Sequence, residues 1–161
     1  MKGSECRLIE YMEGSKKRFI IPVYQRNYDW KTENCKQLYD DLEEVIKNNR
    51  RSHFFGSLVS VYEPSGRNTE FLVIDGQQRL TTVSLLLLAM YNLISSGIIV
   101  PEDASLGKQI YEDFLVDKYQ TQDTRIKLKS VKNDKKAFAK LFDSADEHIR
   151  ESNLTINYNY F

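Results

Sequence analysis

The segment from Phe71 to Met90 constrains the fold more than any other part of this sequence, because it joins an apolar strand to an apolar helix through a polar turn. Phe71–Ile74 has the length and composition of a short buried strand, and Asp75-Gly76 is a common turn dipeptide. From Gln77 onward the first helical turn is polar and the later turns are apolar. The pattern predicts a strand, a tight turn and a long core helix in direct succession.

This predicted turn has the features of an anion site. The first backbone N–H groups of a helix lack intrahelical partners and the helix dipole is positive there, so a phosphate or carboxylate is stabilised at that end. Gly76 lets the backbone approach a ligand, Arg79 can bind phosphate oxygens, and Asp75 can cap the helix or hold a divalent cation. The alternative is an ordinary surface turn, in which Gln77 and Gln78 are solvated and Arg79 forms a surface ion pair; the spacing fits both.

A second polar and aromatic cluster follows a predicted strand at residues 18–23. This aromatic loop (Tyr24–Trp30) contains a glutamine, an arginine and three aromatic side chains, one of which is the only tryptophan of the chain. Aromatics interleaved with glutamine and arginine suit stacking on bases and hydrogen bonding to base edges or phosphates. Alternatively, Tyr24, Tyr28 and Trp30 anchor the loop in the core while Arg26 pairs with an acid, which is the commoner use of large aromatics.

Three ordered segments together carry a family resemblance: FIIPVYQRNYDW at 19–30, HFFGSLVSVY at 53–62 and VIDGQQRLTTVSLLLLA at 73–89. In their order and separation they resemble the N-terminal domain of GmrS/GmrD-type restriction endonucleases, which are modification-dependent (type IV) enzymes related to the ParB and sulfiredoxin folds. RIKLKS at 125–130, followed by Asp134 and an apolar helix, is a further match. The resemblance runs from about Leu8 to the end of the chain, and it implies an α+β fold with a small mixed sheet, packed helices and the start of a helical region.

The resemblance also implies a set of site residues. The DGQQR turn (Asp75–Arg79) is expected to bind and hydrolyse a nucleoside triphosphate with Mg²⁺. The implied catalytic residues are Asp75, Gln77, Gln78 and Arg79, with Asp75 also the metal ligand. The implied nucleotide-binding residues are Gly76, Thr81, Thr82, Gln25 and Arg26. The residues implied in nucleic-acid contact are Tyr24, Gln25, Arg26 and Tyr28, in a loop expected to lie beside the turn.

Members of such a family act in phage defence, and couple triphosphate hydrolysis to DNA cleavage by a separate nuclease domain or subunit. The chain has two histidines, His53 and His148, and neither belongs to a metal-nuclease pattern, so we expect the nuclease half to be absent here. Two functions remain open at this point: a nucleotide-dependent hydrolase module, and a non-catalytic nucleotide or DNA sensor that switches a downstream effector. No general base for attacking water is evident, since Asp75 can hold a metal and Gln77 or Gln78 can orient the water.

The length and composition of the chain limit its domain organisation. A chain of 161 residues with 41% hydrophobic side chains can bury one proper core. The expected division is a ParB/sulfiredoxin-like nucleotide-binding core at 1–100, and a helical extension with one strand at 101–161. An amphipathic segment with Asn153 as N-cap lies at the end, which predicts a truncated helix. Its apolar residues are expected to be exposed or covered by homo-oligomerisation: Leu154, Ile156, Tyr158 and Phe161.

The charge distribution offers only local evidence for nucleic-acid binding. Lysine plus arginine equals aspartate plus glutamate, at 23 each, so the whole chain has no net attraction to DNA. Residues 125–140 are basic and could follow a phosphate backbone. The alternation at Arg125–Lys129 also fits a half-buried edge strand with a charged solvent face, which we favour. Two separate cysteines and the lack of a long apolar run predict a reduced cytoplasmic protein that does not enter a membrane.

Overall fold

The computed structural model of the chain describes residues 4–121 and 124–161. Its strands are β1 (Lys17–Ile20), β2 (Val59–Ser65), β3 (Asn68–Asp75) and β4 (Leu128–Lys129). They form one sheet with the order β2-β3-β1-β4. β2 and β3 are an antiparallel hairpin, whereas β1 pairs in parallel with both β3 and β4.

Helices pack around this sheet. They are α1 (Leu8–Met12), α2 (Thr32–Lys47), α3 (Gln77–Ser95), α4 (Leu106–Gln109), α5 (Lys132–Lys140) and α6 (Asn153–Tyr160). A π-helical segment, Ile110–Leu115, continues α4, and a 3-10 turn lies at Ala145–Glu147. A small mixed sheet with separate helices confirms the predicted α+β class.

The β2–β3 hairpin is longer than its sequence suggested. Pro64–Asn68 is rich in turn-forming residues, which predict a loop between two strands, but β2 continues to Ser65 and β3 starts at Asn68, with Gly66 at a positive φ of 60° in the turn. Pro64 lacks a backbone N–H, but β2 is an edge strand, and in the described structure its outer side has no neighbouring strand that would need that donor.

α3 is the central helix of the core; it starts at Gln77 as predicted and ends at Ser95. Leu80, Leu85 and Leu88 on α3 are almost fully buried. The same core cluster contains Phe19 from β1, together with Leu128 and Leu154 from beyond residue 100, so β4 and α6 complete the core begun by the first hundred residues. Among the described residues, neither α3 nor any other helix has both the length and the apolar character to cross a bilayer.

The expectation that the end of the chain exposes its apolar residues is wrong for Leu154, which is fully buried. α6 packs against α2, α3 and α5, so it has partner helices within this chain. The N-cap is also one residue earlier than predicted, because the Ser152 hydroxyl accepts the Leu154 N–H at 3.2 Å. Ile156 alone of the four predicted residues is classed as exposed, at 46%.

β4 lies at the sheet edge as predicted, but Lys127, just before it, does not face solvent. Its side chain is 1% exposed. The ammonium donates to the carbonyl oxygens of Met12 and Asp113, both at 2.7 Å. The predicted solvent-facing position is therefore wrong, because these carbonyls at the end of α1 and in the π-helical segment need a donor that Lys127 supplies. Lys127 cannot belong to a basic stripe on the surface.

The free energy of unfolding should rise with pH between about 8 and 10 because of Lys127 and Lys129. Burial, followed by the charge of Lys17, lowers the pKa of Lys127 from 10.5 to about 8, and burial likewise lowers the pKa of Lys129 to about 8. In this window the unfolded chain binds more protons than the folded one, so deprotonation favours folding, by at most about 1.4 kcal/mol per pH unit for each lysine. Urea unfolding at pH 8, 9 and 10 measures the slope, and Lys127→Met should remove its share. Equal slopes for the two proteins would contradict this assignment.

Candidate functional site

The turn between β3 and α3 can be built only with glycine at position 76. Gly76 has a φ of +89°, a left-handed conformation that favours glycine. A Cβ atom there would lie 2.3 Å from Cδ2 of Leu58 and 3.1 Å from the carbonyl oxygen of Ser57. As N-cap of α3, glycine has no side chain to accept the first helical N–H groups. These donors therefore remain available to a ligand.

The aromatic loop lies directly against the DGQQR turn, as the resemblance implied. The Gln25 N–H donates to the carbonyl of Pro22 at 2.9 Å, which closes a turn after β1. Gln25 Nε2 then donates to the carbonyl of Ile74 at 2.8 Å, across 49 positions of sequence. From the other side, Gln77 Nε2 donates to the carbonyl of Arg26 at 3.2 Å. The two segments form one composite structure.

Gln78 holds the aromatic loop by its backbone. Its Oε1 accepts the N–H groups of Asp29 at 3.0 Å and Trp30 at 3.3 Å, while its Nε2 donates to the carbonyl of Asn27 at 3.0 Å. Gln77 and Gln78 are only 8% and 6% exposed. The alternative of solvated glutamines is therefore wrong, because both amides serve to join the loop to α3.

Beneath this layer is a buried polar network centred on Tyr28. The Tyr28 hydroxyl donates to Oγ1 of Thr82 at 2.8 Å, and Thr82 donates to the carbonyl of Gln78 at 2.8 Å. Asn157 on α6 donates to the Tyr28 hydroxyl at 2.9 Å and to the carbonyl of Trp30 at 2.8 Å. Burial raises the pKa of Tyr28 well above its ordinary value, so the hydroxyl stays protonated and can donate. Tyr28 and Thr82 thus support the site from below.

A cleft of about 240 Å³ opens above the start of α3. Its lining comes from the aromatic loop and the DGQQR turn: Gln25, Arg26, Trp30, Asp75, Gly76, Gln77, Gln78 and Arg79. Of the other site residues expected from sequence, Tyr24 is 70% exposed outside this lining, and Thr81 is buried beside a smaller recess. The four implied catalytic residues and three of the five implied nucleotide-binding residues therefore line one cleft, whereas Thr81 and Thr82 are buried outside its lining.

Arg79 forms the wall of the cleft next to the segment Gly56–Leu58. Its Nη2 donates to the carbonyl of Ser57 at 2.7 Å and lies 3.9 Å from Oδ2 of Asp75. Gly56 has a φ of +105°, and a Cβ atom on it would lie 2.4 Å from Nη1 of Arg79. The Nε atom is buried and has no hydrogen-bond partner among the described residues. The guanidinium thus retains donor capacity beside the cleft.

The charges around the cleft are mixed. Arg26 and Arg79 supply two guanidinium groups, Asp29 pairs with Arg26 at 3.3 Å, and the Asp75 carboxylate is 69% exposed. Within the described residues, no group of three or more His, Cys, Asp or Glu side chains could hold a metal ion. Mg²⁺ bound with a nucleotide needs only one or two carboxylates besides phosphates and waters, and Asp75 fits that requirement.

The comparison with known families decides the membership of this chain. Residues 8–160 match the family described as the GmrSD restriction endonuclease, N-terminal domain. The chain belongs to this family. No match was found among curated proteins. As a GmrSD N-terminal domain, the chain has a place in DNA defence, and the resemblance based on its three ordered motifs is confirmed.

Several residues of this GmrSD N-terminal domain escaped the sequence reasoning. Ser57 contacts Arg79 through its carbonyl, and a backbone contact leaves no trace in residue type, although Gly56 beside it marks a close approach. Asn157 is fully buried under the aromatic loop, 129 positions from Tyr28. No local pattern could have paired them. His53 lies 3.6 Å from Asp41 of α2 and outside the lining of the cleft.

Proposed function

We propose that this domain is a nucleoside-triphosphate-binding module of a DNA-defence protein. The observation that carries the proposal is the opening of the uncapped α3 N-terminus into the same cleft as Arg26 and Arg79. Helical N–H donors and guanidinium groups are both well suited to bind phosphate oxygens. Gly76 brings the backbone close enough to use them, because it has no side chain in the way.

The size of the cleft suggests which part of the nucleotide it binds. Its volume of about 240 Å³ is below the roughly 300–1,000 Å³ typical of pockets that enclose a whole small-molecule ligand. We infer that the phosphate chain occupies the cleft and that the nucleoside extends over its rim. Trp30 in the lining and the exposed Tyr24 offer aromatic surfaces on which the base can stack.

Asp75 is the proposed ligand of a Mg²⁺ ion that arrives with the triphosphate. When bound, the ion supplies charge neutralisation across the β- and γ-phosphates, as in other phosphoryl-transfer sites. Arg79 would exchange its bond with the Ser57 carbonyl for a phosphate oxygen, because a bond between two opposite charges is stronger than one to a neutral carbonyl. Gln78 could orient a water through Oε1 only after giving up its bonds to Asp29 and Trp30, whereas Gln77 bonds to the aromatic loop through Nε2 and keeps its Oε1 for a water.

A second candidate is a sensor that binds a nucleotide or DNA without turnover. The hydrogen bonds of the Gln77 and Gln78 amides to the aromatic loop favour it. Both glutamine amides of the turn hold the aromatic loop, and Asn157 of α6 holds it from behind. A ligand that moves the turn would therefore move the loop and α6 together. DNA is the proposed partner through Tyr24, Gln25 and Arg26, and a nuclease domain or subunit is the proposed effector.

Binding and phosphate release, measured separately on the purified chain, test the proposal. Calorimetric titration with each ribonucleoside triphosphate and Mg²⁺ should show saturable binding to one site. Phosphate release above that of an Arg79→Ala protein, with or without DNA, would support the hydrolase; binding without release would support the sensor. Failure of all four nucleotides to bind would contradict the hydrolase and the nucleotide sensor, and would leave only a sensor of DNA.

A further inference from the structure

A second, smaller recess adjoins the cleft. Its volume of about 10 Å³ is near the lower limit of roughly 10–15 Å³ that a single water molecule needs. Arg26, Gln77 and Gln78 line both the recess and the cleft. The remaining walls come from the core and from the start of α5: Ile21, Tyr28, Thr81, Ser130, Val131 and Asp134.

Asp134 is fixed at this recess by the aromatic loop. Its Oδ2 accepts the backbone N–H of Tyr28 at 2.6 Å, a contact across 106 positions. The half-buried carboxylate keeps its second oxygen and further lone pairs available to another donor. Burial raises the pKa of Asp134, which makes the ionised form a better proton acceptor.

Ser130 supplies another polar group to the recess, and this group has no hydrogen-bond partner among the described residues. Its Oγ atom is buried and makes no hydrogen bond to any residue that the structure describes. Buried hydroxyl groups in folded proteins nearly always bond to protein or ordered water, so this atom calls for a water in the recess. A water between Ser130 and Asp134 would have two polar partners and would lie next to the cleft, since Arg26, Gln77 and Gln78 line both cavities.

We propose that Asp134 is the proton acceptor for the water that attacks the terminal phosphate; this inference rests on the proposed triphosphate site. The water oxygen bonds to the γ-phosphorus as the bond to the bridging β–γ oxygen breaks. The nucleoside diphosphate leaves with that electron pair, and the water proton passes to the Asp134 carboxylate. Asp75 is less suited to this role, because it lies 3.9 Å from Arg79 and is the proposed Mg²⁺ ligand.

Asp134→Asn tests the assignment, since asparagine keeps an oxygen that can accept the Tyr28 N–H and removes the proton acceptor. Triphosphate affinity measured by calorimetry should stay within about twofold, whereas phosphate release should fall about 100-fold or more, the usual range for a lost general base. The matched control is Asp143→Asn, an exposed acid that pairs with Lys140 and lies outside both cavities. It should keep the wild-type rate.

The pH profile gives an independent readout. Arg26 and Tyr28 are the charged or titratable residues that share the recess with Asp134 in the described structure. The wild-type rate should therefore fall as pH drops through the raised pKa of Asp134, because the acceptor must be ionised. The residual rate of Asp134→Asn should lack this acidic limb.

Three results would overturn the inference: a wild-type rate in Asp134→Asn, an unchanged acidic limb in that protein, or no phosphate release by wild-type protein with bound nucleotide. If Asp134→Asn does not fold, Ser130→Ala decides, with about a tenfold loss of rate expected and a wild-type rate contradicting the recess as the water site. Calorimetry on the wild type comes before any rate measurement. If no nucleotide binds, the proposed triphosphate site itself is overturned.

Discussion

Replacing Arg79 with alanine is expected to weaken triphosphate binding by about 1.5–3 kcal/mol, or roughly 10- to 150-fold, the range for a lost charge-assisted hydrogen bond. The side chain lines the cleft beside the start of α3, and its Nε has no partner among the described residues. The part of the guanidinium that faces the cleft is the part that a phosphate oxygen would bind. Isothermal titration calorimetry with the preferred nucleotide measures the change.

Arg67→Ala is the matched control for Arg79→Ala. Arg67 is exposed in the turn of the β2–β3 hairpin and lies outside the cleft lining. It has the same charge, so a general electrostatic effect of lowering the net charge would appear in both variants. Equal affinity of wild type and Arg79→Ala would place the phosphate site elsewhere; equal losses in both variants would reduce Arg79 to a contributor of net charge.

Gln78→Leu should produce the largest loss of stability of the variants described here. Leucine leaves the N–H groups of Asp29 and Trp30 and the carbonyl of Asn27 without their present partner. Each unsatisfied buried group costs about 1–3 kcal/mol, and partial solvation of the loop lowers the sum, so we expect a loss of about 2–5 kcal/mol in unfolding free energy. Urea unfolding measures it.

Two further variants test whether the loss of stability in Gln78→Leu comes from its lost hydrogen bonds to the aromatic loop. Gln37→Leu makes the same change on the exposed face of α2, where the Gln37 side chain bonds to Asp41, and should cost within about 0.5 kcal/mol. Gln78→Glu keeps an acceptor for the two N–H groups but loses the donor to Asn27, so its stability should lie between wild type and Gln78→Leu. If Gln78→Leu were no less stable than Gln37→Leu, the glutamine would not be what holds the aromatic loop.

The parts of the site that the sequence predicted are those encoded locally. The apolar strand, the Asp75-Gly76 turn and the polar first turn of α3 follow one another, so hydrophobic period and turn chemistry place them without knowledge of the fold. The proximity of the aromatic loop came instead from the family resemblance. Parallel pairing of β1 with β3 explains it, because both strands end at the same sheet edge and their following turns meet there.

The parts that the sequence did not predict depend on contacts between distant segments. Lys127 falls in an alternating basic run that reads as solvent-facing, yet its ammonium bonds to two backbone carbonyls from other elements. Asn157 reads as a polar residue of an amphipathic helix, yet it is fully buried under Tyr28 and Trp30. Residue type gives no sign of such backbone and hydroxyl partners, since they exist only once the helices have packed.

Titration of the intrinsic fluorescence of Trp30 tests the central claim, a triphosphate site at the start of α3, most directly. Trp30 is the only tryptophan in the chain and it lines the cleft, so its emission reports on that place alone. We predict a saturable change with at least one of the four ribonucleoside triphosphates in the presence of Mg²⁺. That change should shift to about 10-fold or higher concentration in Arg79→Ala, and the corresponding nucleoside without phosphates should not reproduce it. No saturable change with any triphosphate, or the same titration curve for triphosphate and nucleoside, would contradict the account.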